Sequence, residues 1–199
     1  MSQHNFLNKL IKVFLLVSMI GSLGFLMISG ITTAISHLTT FQIAKTEPYK
    51  TEFIDEISVP AKKYGMEFQM FPSIIIAQAI LESDWGRSQL SRESNNLFGI
   101  KASEDDQHVV LPTQEFQDGK MQTEEAAFKI YDSLDDSILD HSYFLTGQTY
   151  QAAIAAKDYQ AAAKAIQNGG YATDPDYSDK LISIIKEYKL DVYDTTHSP

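Results

Sequence analysis

PSIIIAQAILESDWGRSQLSRESNNLFGIK, residues 72 to 101, decides how this chain is read. Pro72 suits the first turn of a helix, where its missing N–H costs nothing. The apolar run after it predicts a helix to about Ser83, and Gly86 stops or bends the chain soon after. On such a helix Ile75, Gln78, Ala79 and Glu82 share one side by i, i+3, i+4 and i+7 spacing. That side is half polar, as in a helix lining a cleft. Ile74, Ala77, Ile80 and Leu81 on the other faces suit a core. A carboxyl at Glu82 among apolar walls has its pKa raised by desolvation, which a general acid near neutral pH requires. Trp85, the only tryptophan, offers such a wall or a platform for a sugar ring. The plain alternative is a glutamate at a helix end pointing into water.

Outward from this stretch, the pattern is mostly helical. Phe53, Ile57, Ala61 and Tyr64 recur at helical spacing, with Pro60 expected to kink or break the helix. Ser94-Asn95-Asn96 and Gly99 read as a structured loop. HVVLPTQEF and MQTEEAAFKIY flank Asp118-Gly119, a hairpin dipeptide, and Pro112 implies an edge strand. Helical patterns return at 133–144, 150–156, 159–166 and 177–188. Asp174 is expected to cap the last helix, with Pro175 in its first turn. The fold class is α+β, mostly α, with one small β hairpin.

Val13 to Ile31 is a run of 19 uncharged residues preceded by Lys9 and Lys12. As a helix it spans roughly 28 Å, close to the thickness of a bilayer's hydrocarbon core. The lysines place the rest of the chain outside the cytoplasm. An uncleaved transmembrane anchor is favoured over a cleaved signal sequence or a buried core helix, because Thr32-Thr33-Ala34 is a poor cleavage motif. The predicted organisation is therefore 1–34 cytoplasmic tip and anchor, 35–49 linker, 50–192 folded domain, and 193–199 C-terminal tail. The expected location is the cell membrane, single-pass, with the domain extracytoplasmic, or secreted if the segment is cleaved.

Charge and composition narrow the chemistry. The chain has 16 basic and 26 acidic residues, and the first 46 residues hold three lysines and no acid. Residues 47–199 thus carry a net charge of −13. Nucleic-acid binding, which needs a basic stripe, is set aside. There are no cysteines, and the five histidines are scattered without HExxH or HxH spacing. Thiol chemistry and a metal site are unsupported, and no cofactor is implied. Glycoside cleavage needs a second group beside an acid, and Glu115 on the hairpin is one candidate among Asp84, Glu104, Asp105 and Asp106.

AQAILESDWGRSQL followed by NNLFGIK, LPTQEF, AAFKIYDSLDDSILDHSYFL and GGYATDPDYSDKL, in that order, resembles the glucosaminidase family of peptidoglycan hydrolases, glycoside hydrolase family 73. The resemblance covers roughly residues 50 to 190. It implies a lysozyme-like fold and hydrolysis of the β-1,4 bond after N-acetylglucosamine in cell-wall glycan strands. Glu82 matches the family's proton donor, and Glu115 the hairpin carboxylate proposed to activate water. Tyr171 matches a cleft tyrosine suited to a substrate-assisted route. Asn96 and Phe98 match the loop that shapes the cleft floor, or alternatively cap a turn and fill the core. Trp85 and Asp174 complete the expected substrate-binding set. No repeated wall-binding module is present in this sequence, and the anchor is expected to supply the tether instead. The expected partners are peptidoglycan strands and, through the N-terminal helix, the membrane; a monomer is favoured. The alternatives are a non-catalytic wall-binding domain, or a muramidase or lytic transglycosylase of lysozyme-like fold.

Overall fold

A helix apolar on every face can persist in water only if other elements surround it, and the helix Pro72–Ser83 meets that condition. Ile74, Ile75, Ile76, Ala77, Gln78 and Ala79 are all fully buried. The structure, a computed structural model, describes residues 47–117 and 120–196, with all their side chains except those of 114–117, 120–122 and 195–196. In chain order it contains α1 (Pro48–Phe68), α2 (Pro72–Ser83), α3 (Gln89–Ser94), β1 (His108–Gln117) and β2 (Lys120–Lys129). There follow α4 (Leu134–Phe144), a 3-10 turn (Gln148–Tyr150), α5 (Gln151–Ile154), α6 (Tyr159–Asn168), α7 (Tyr177–Tyr188) and a closing 3-10 helix (Leu190–Thr196).

The expected mostly helical α+β class is what the structure shows. One core joins Ile57 of α1, the isoleucines of α2, Ile138 of α4, Ile166 of α6, and Leu181 and Ile185 of α7. Burial of each such side chain contributes roughly 1.5–3 kcal/mol. The two strands form an antiparallel pair in the register Glu115↔Gln122 and Gln117↔Lys120, which leaves two residues between them. In a two-stranded sheet every strand is an edge, so Pro112 is tolerated within β1.

One expectation is corrected. Pro60 does not break α1, which runs unbroken for 21 residues. The carbonyl deprived of its donor by Pro60 belongs to Glu56, a residue on the exposed side of the helix. Packing of Phe53, Ile57, Ala61 and Tyr64 against the core then holds the helix through the proline.

The predicted membrane segment lies outside the described residues. Among the described residues, no helix is long and apolar enough to cross a bilayer.

The segment read as a tail takes part in the fold as far as Thr196. Phe71 at the α2 N-terminus has no capping side chain. Asp194, from the closing 3-10 helix, does the work instead. Its Oδ1 accepts from the Ser73 backbone N–H at 2.8 Å, and its Oδ2 from the Ser73 hydroxyl at 2.7 Å. A carboxylate there also complements the helix dipole. Ser73 is fully buried, so Asp194→Ala leaves two donors without partners. The expected loss is about 2–3 kcal/mol, read as a thermal midpoint about 5–10 °C lower by calorimetry. A midpoint within about 1 °C of the unmodified chain would show that this cap is dispensable.

Candidate active site

Glu82 is the last but one residue of α2, and the chain turns sharply beyond it. Asp84, Trp85 and Gly86 all have positive φ, at 50°, 61° and 70°. For the two non-glycine residues this costs roughly 1–2 kcal/mol each. Buried Ser83 holds the turn, because its hydroxyl accepts from the Gly86 N–H at 2.7 Å and its carbonyl from the Ser88 N–H at 2.8 Å. Gly86 is required on two counts: its φ is left-handed, and a Cβ there would lie 2.7 Å from the Phe53 ring. The reversal leaves Glu82 facing solvent at the end of a helix that is otherwise enclosed.

The Glu82 carboxylate is held by a chain of two hydrogen bonds. The Tyr177 hydroxyl donates to Oε1 at 2.7 Å. The same hydroxyl oxygen accepts from Gln78 Nε2 at 3.1 Å. A phenol has one proton to give, so the Gln78 contact directs it to Glu82. Although the carboxyl meets solvent, protein crowds it, and this desolvation raises its pKa above the ordinary carboxylate range. Tyr177 opposes the rise by stabilising the charged form, and is the weaker influence.

Tyr171 stands beside this pair. Its ring stacks on Tyr177 with centroids 5.5 Å apart. Burial, followed by the negative charge of Glu82, raises its hydroxyl pKa well above that of a free phenol. Tyr171 and Tyr177, raised in the same direction, are therefore neutral hydrogen-bond donors near neutral pH. The structure thus places Tyr171 against Tyr177, which binds Glu82, and adds Tyr177 and Gln78 to the residues around the carboxyl. Gln78 is enclosed under Tyr177, so the half-polar face read in the sequence reaches solvent only at Glu82.

The remaining expected site residues lie elsewhere. Trp85, aimed by its left-handed backbone, packs against Tyr188 at 4.7 Å, Phe53 at 6.4 Å and Tyr49 at 6.5 Å. It lines a cavity of about 290 Å³ with Tyr49, Phe53 and Arg92; Glu82 does not line it. Asn96 is 1% exposed. Its Nδ2 donates to the carbonyls of Ile100 and Lys129, both at 2.9 Å, and its Oδ1 accepts from the Ile100 N–H at 3.1 Å. All of that is backbone work, so Asn96 ties the loop to β2 and has little left for a ligand. Phe98 is buried and stacks on His141, centroids 3.7 Å apart. For both residues the structural alternative is the one that fits. Asp174 lies two residues before the helix N-cap, Asp176, and does not itself cap it. It accepts from the Asp176 N–H at 2.9 Å and pairs with Lys180, which holds its carboxyl below the usual range. Glu115 is on β1, but its side chain lies outside the described ones.

The family model described as mannosyl-glycoprotein endo-beta-N-acetylglucosaminidase matches residues 59–190. The chain belongs to this glucosaminidase family. It is 44% identical over 148 residues to the exo-glucosaminidase LytG of Bacillus subtilis, covering 71% of this chain and 52% of that protein. It is 39% identical over 188 residues to a probable N-acetylmuramidase of Lactococcus lactis, covering 88% of this chain and 43% of that protein. The chain thus spans about half the length of these relatives. The crystal structure of the catalytic domain of the Listeria monocytogenes autolysin Auto superposes with a TM-score of 0.69 at 35% identity, covering 80% of this chain and 97% of that one. The glucosaminidase domain is a glycoside hydrolase of lysozyme-like architecture.

Two predictions follow from the electrostatics. Tyr177→Phe removes the bond that favours the charged carboxylate. The Glu82 carboxyl should then titrate at higher pH than in the unmodified domain, as followed by carbon NMR. A midpoint that stays put or falls would remove Tyr177 from the account.

The second concerns His141, fully buried against Phe98 and edge-on to Tyr171 at 5.9 Å. Burial lowers its pKa to about 3 from 6.5, against the weaker pull of Asp140. Between those values the unfolded chain binds the extra proton, so stability is lost as pH falls through this window. Glu82, with its raised pKa, acts in the opposite sense and loses its contribution as pH rises. His141→Leu should therefore narrow the difference in denaturation midpoint between pH 7 and pH 4. An unchanged difference would mean that His141 does not titrate as a buried group.

Proposed function

We propose that this chain hydrolyses the β-1,4 bond after N-acetylglucosamine in peptidoglycan glycan strands, with Glu82 as general acid. The observation that carries the reading is the raised, solvent-facing carboxyl of Glu82, held at one oxygen by the Tyr177 hydroxyl. A proton donor must be protonated at working pH yet able to release its proton in the transition state. Tyr177 occupies Oε1, so Oε2 carries the proton to the leaving oxygen.

Attack on the anomeric carbon has two available routes. Water activated by Glu115 attacks directly, or the substrate's own 2-acetamido oxygen attacks first and water opens the resulting ring. Tyr171, a neutral phenol, is suited to hold the acetamido group in the second route. Neither route needs a metal or a nucleotide.

The run Val13–Ile31 supports a further part of the reading, a single membrane anchor that keeps the domain beside the wall. The acidic domain would be repelled by an anionic wall surface, and tethering offsets that by raising local concentration. The likeness to a probable N-acetylmuramidase favours a second reading, cleavage after N-acetylmuramic acid. A wall-binding domain without catalysis is a third, and the raised Glu82 carboxyl counts against it.

Product analysis separates them. The full chain, incubated with purified peptidoglycan, is expected to release fragments with reducing N-acetylglucosamine ends by mass spectrometry. Glu82→Gln should fold normally and lose activity by roughly 10³-fold or more, since no donor remains. Reducing muramic-acid ends would assign a muramidase, and anhydro ends a transglycosylase. Retained activity in Glu82→Gln would end the assignment of the acid.

A further inference from the structure

α4 ends in two exposed aromatic side chains, Tyr143 at 65% and Phe144 at 52% exposure. Consecutive helix positions point about 100° apart, and these two meet different neighbours. Tyr143 turns to Phe68 of α1, ring centroids 6.2 Å apart. Phe144 turns to Tyr150 at 5.4 Å and to Tyr171 at 6.4 Å. Tyr171 stacks on Tyr177, whose hydroxyl donates to Glu82. The rings of Phe144, Tyr171 and Tyr177 therefore form a contiguous series of contacts that ends at the acid. Tyr177 and Tyr150 are buried and Tyr171 is half-buried. Phe144 is where the series opens fully to solvent. Its backbone position is fixed, because the Gly147 N–H donates to its carbonyl at 3.1 Å.

We propose that Phe144 is a stacking platform for an N-acetylhexosamine ring of the glycan, at a subsite beside the bond that Glu82 cuts. The proposal rests on the glycan-cleaving reading given above. A β-linked N-acetylglucosamine ring carries its polar groups around its rim and presents C–H bonds on its faces. An aromatic face, negative at its centre, attracts such C–H groups as well as excluding water from them. Core packing alone would not leave half of a phenylalanine exposed in a series of rings that leads to a catalytic carboxyl. A single ring is also too small to form a protein interface. On this proposal a strand bound at Glu82 continues past Tyr171 to Phe144, the exposed ring that touches Tyr171. The ring acts on binding along the strand and takes no part in the chemistry.

The test has a kinetic arm and a binding arm, both with the full chain. In the kinetic arm, Phe144→Ala and Phe144→Leu should raise KM on solubilised glycan strands about tenfold, the factor equivalent to ~1.4 kcal/mol. Their kcat should change by less than about threefold, as expected for lost ground-state binding. Phe144→Trp should restore KM. Val59→Ala, at an exposed apolar position on α1 (69% exposed), serves as the control. Unchanged KM in Phe144→Ala, or a fall in kcat that Trp does not rescue, would overturn the proposal. In the binding arm, Glu82→Gln is titrated with N-acetylglucosamine tetramer, with and without Phe144→Ala. Weaker binding in the double variant supports the platform; equal binding in the two, or no binding by Glu82→Gln itself, overturns it. The arms separate the two readings: if the unmodified chain releases no sugar ends, the proposed reaction fails, while binding still decides Phe144.

Discussion

A buried helix must give every polar group it carries a partner, since an unpaired one costs about 1–3 kcal/mol. Most of what surrounds α2 answers that demand, and of the buried side-chain atoms on this helix Gln78 Oε1 is the one without a partner. Ser73 at its start takes both oxygens of Asp194, 121 residues later. Gln78 in its middle meets Tyr177, 99 residues on. Ser83 near its end serves the turn that follows. Each partner comes from a segment that must be correctly packed before it can reach, so the polar groups select one arrangement of the helices around an otherwise featureless apolar rod. Glu82 is the single charged group on this helix, and it emerges where the enclosure stops.

The two influences on Glu82 are set against each other, and their order decides the chemistry. Desolvation favours the neutral acid, and the Tyr177 hydrogen bond favours the carboxylate. Had a lysine or arginine stood where Tyr177 stands, an adjacent full charge would pull the carboxyl down by roughly 1–3 pKa units. That would favour the charged form, which cannot donate. A neutral phenol gives orientation at a smaller electrostatic cost. Burial raises the phenol's own pKa as well, which keeps Tyr177 a donor to the carboxyl.

How far this was legible from the residues depends on separation along the chain. α2 announced itself through Pro72 and its apolar run, and α7 through Leu181, Ile184 and Ile185 at helical spacing. The hairpin was visible in Asp118-Gly119. These are local signals. The Tyr177–Glu82 bond spans 95 residues, and no spacing rule reaches that far, so Tyr177 was read only as the start of a helix. Trp85 misled for another reason. Proximity to Glu82 in sequence suggested a wall for its carboxyl, but two left-handed residues at 84 and 85 turn the indole toward α1 and α7. For Asn96 and Phe98 the sequence left a cleft role and a structural role open, because a loop that shapes a site and a loop that touches substrate have the same residue types. Pro60 shows the limit of propensity: packing of four buried residues on one face outweighs one lost backbone bond.

The hairpin and α2 place their carboxylates by different means, and this bears on how the two share the work. The root of the hairpin is tied down: Lys101 bridges Phe128, Asn96 binds the Lys129 carbonyl, and Lys129 pairs with Asp106 and Asp140. Glu115 is six residues along β1 from Val109, the partner of Phe128, which is roughly 20 Å at strand rise. A rotation of about 10° at the root would therefore carry the Glu115 backbone about 3.5 Å, more than a hydrogen-bond length. The acid has no such lever, since α2 is enclosed over nearly its whole length. Proton donation to the leaving oxygen needs a donor set before the substrate arrives, and α2 supplies one. If Glu115 activates water, as proposed, that step is needed only once the sugar is seated, and its base tolerates a longer, less rigid support. On the proposed reading, the acid is fixed through the core, while Glu115 sits on a longer and less rigid support.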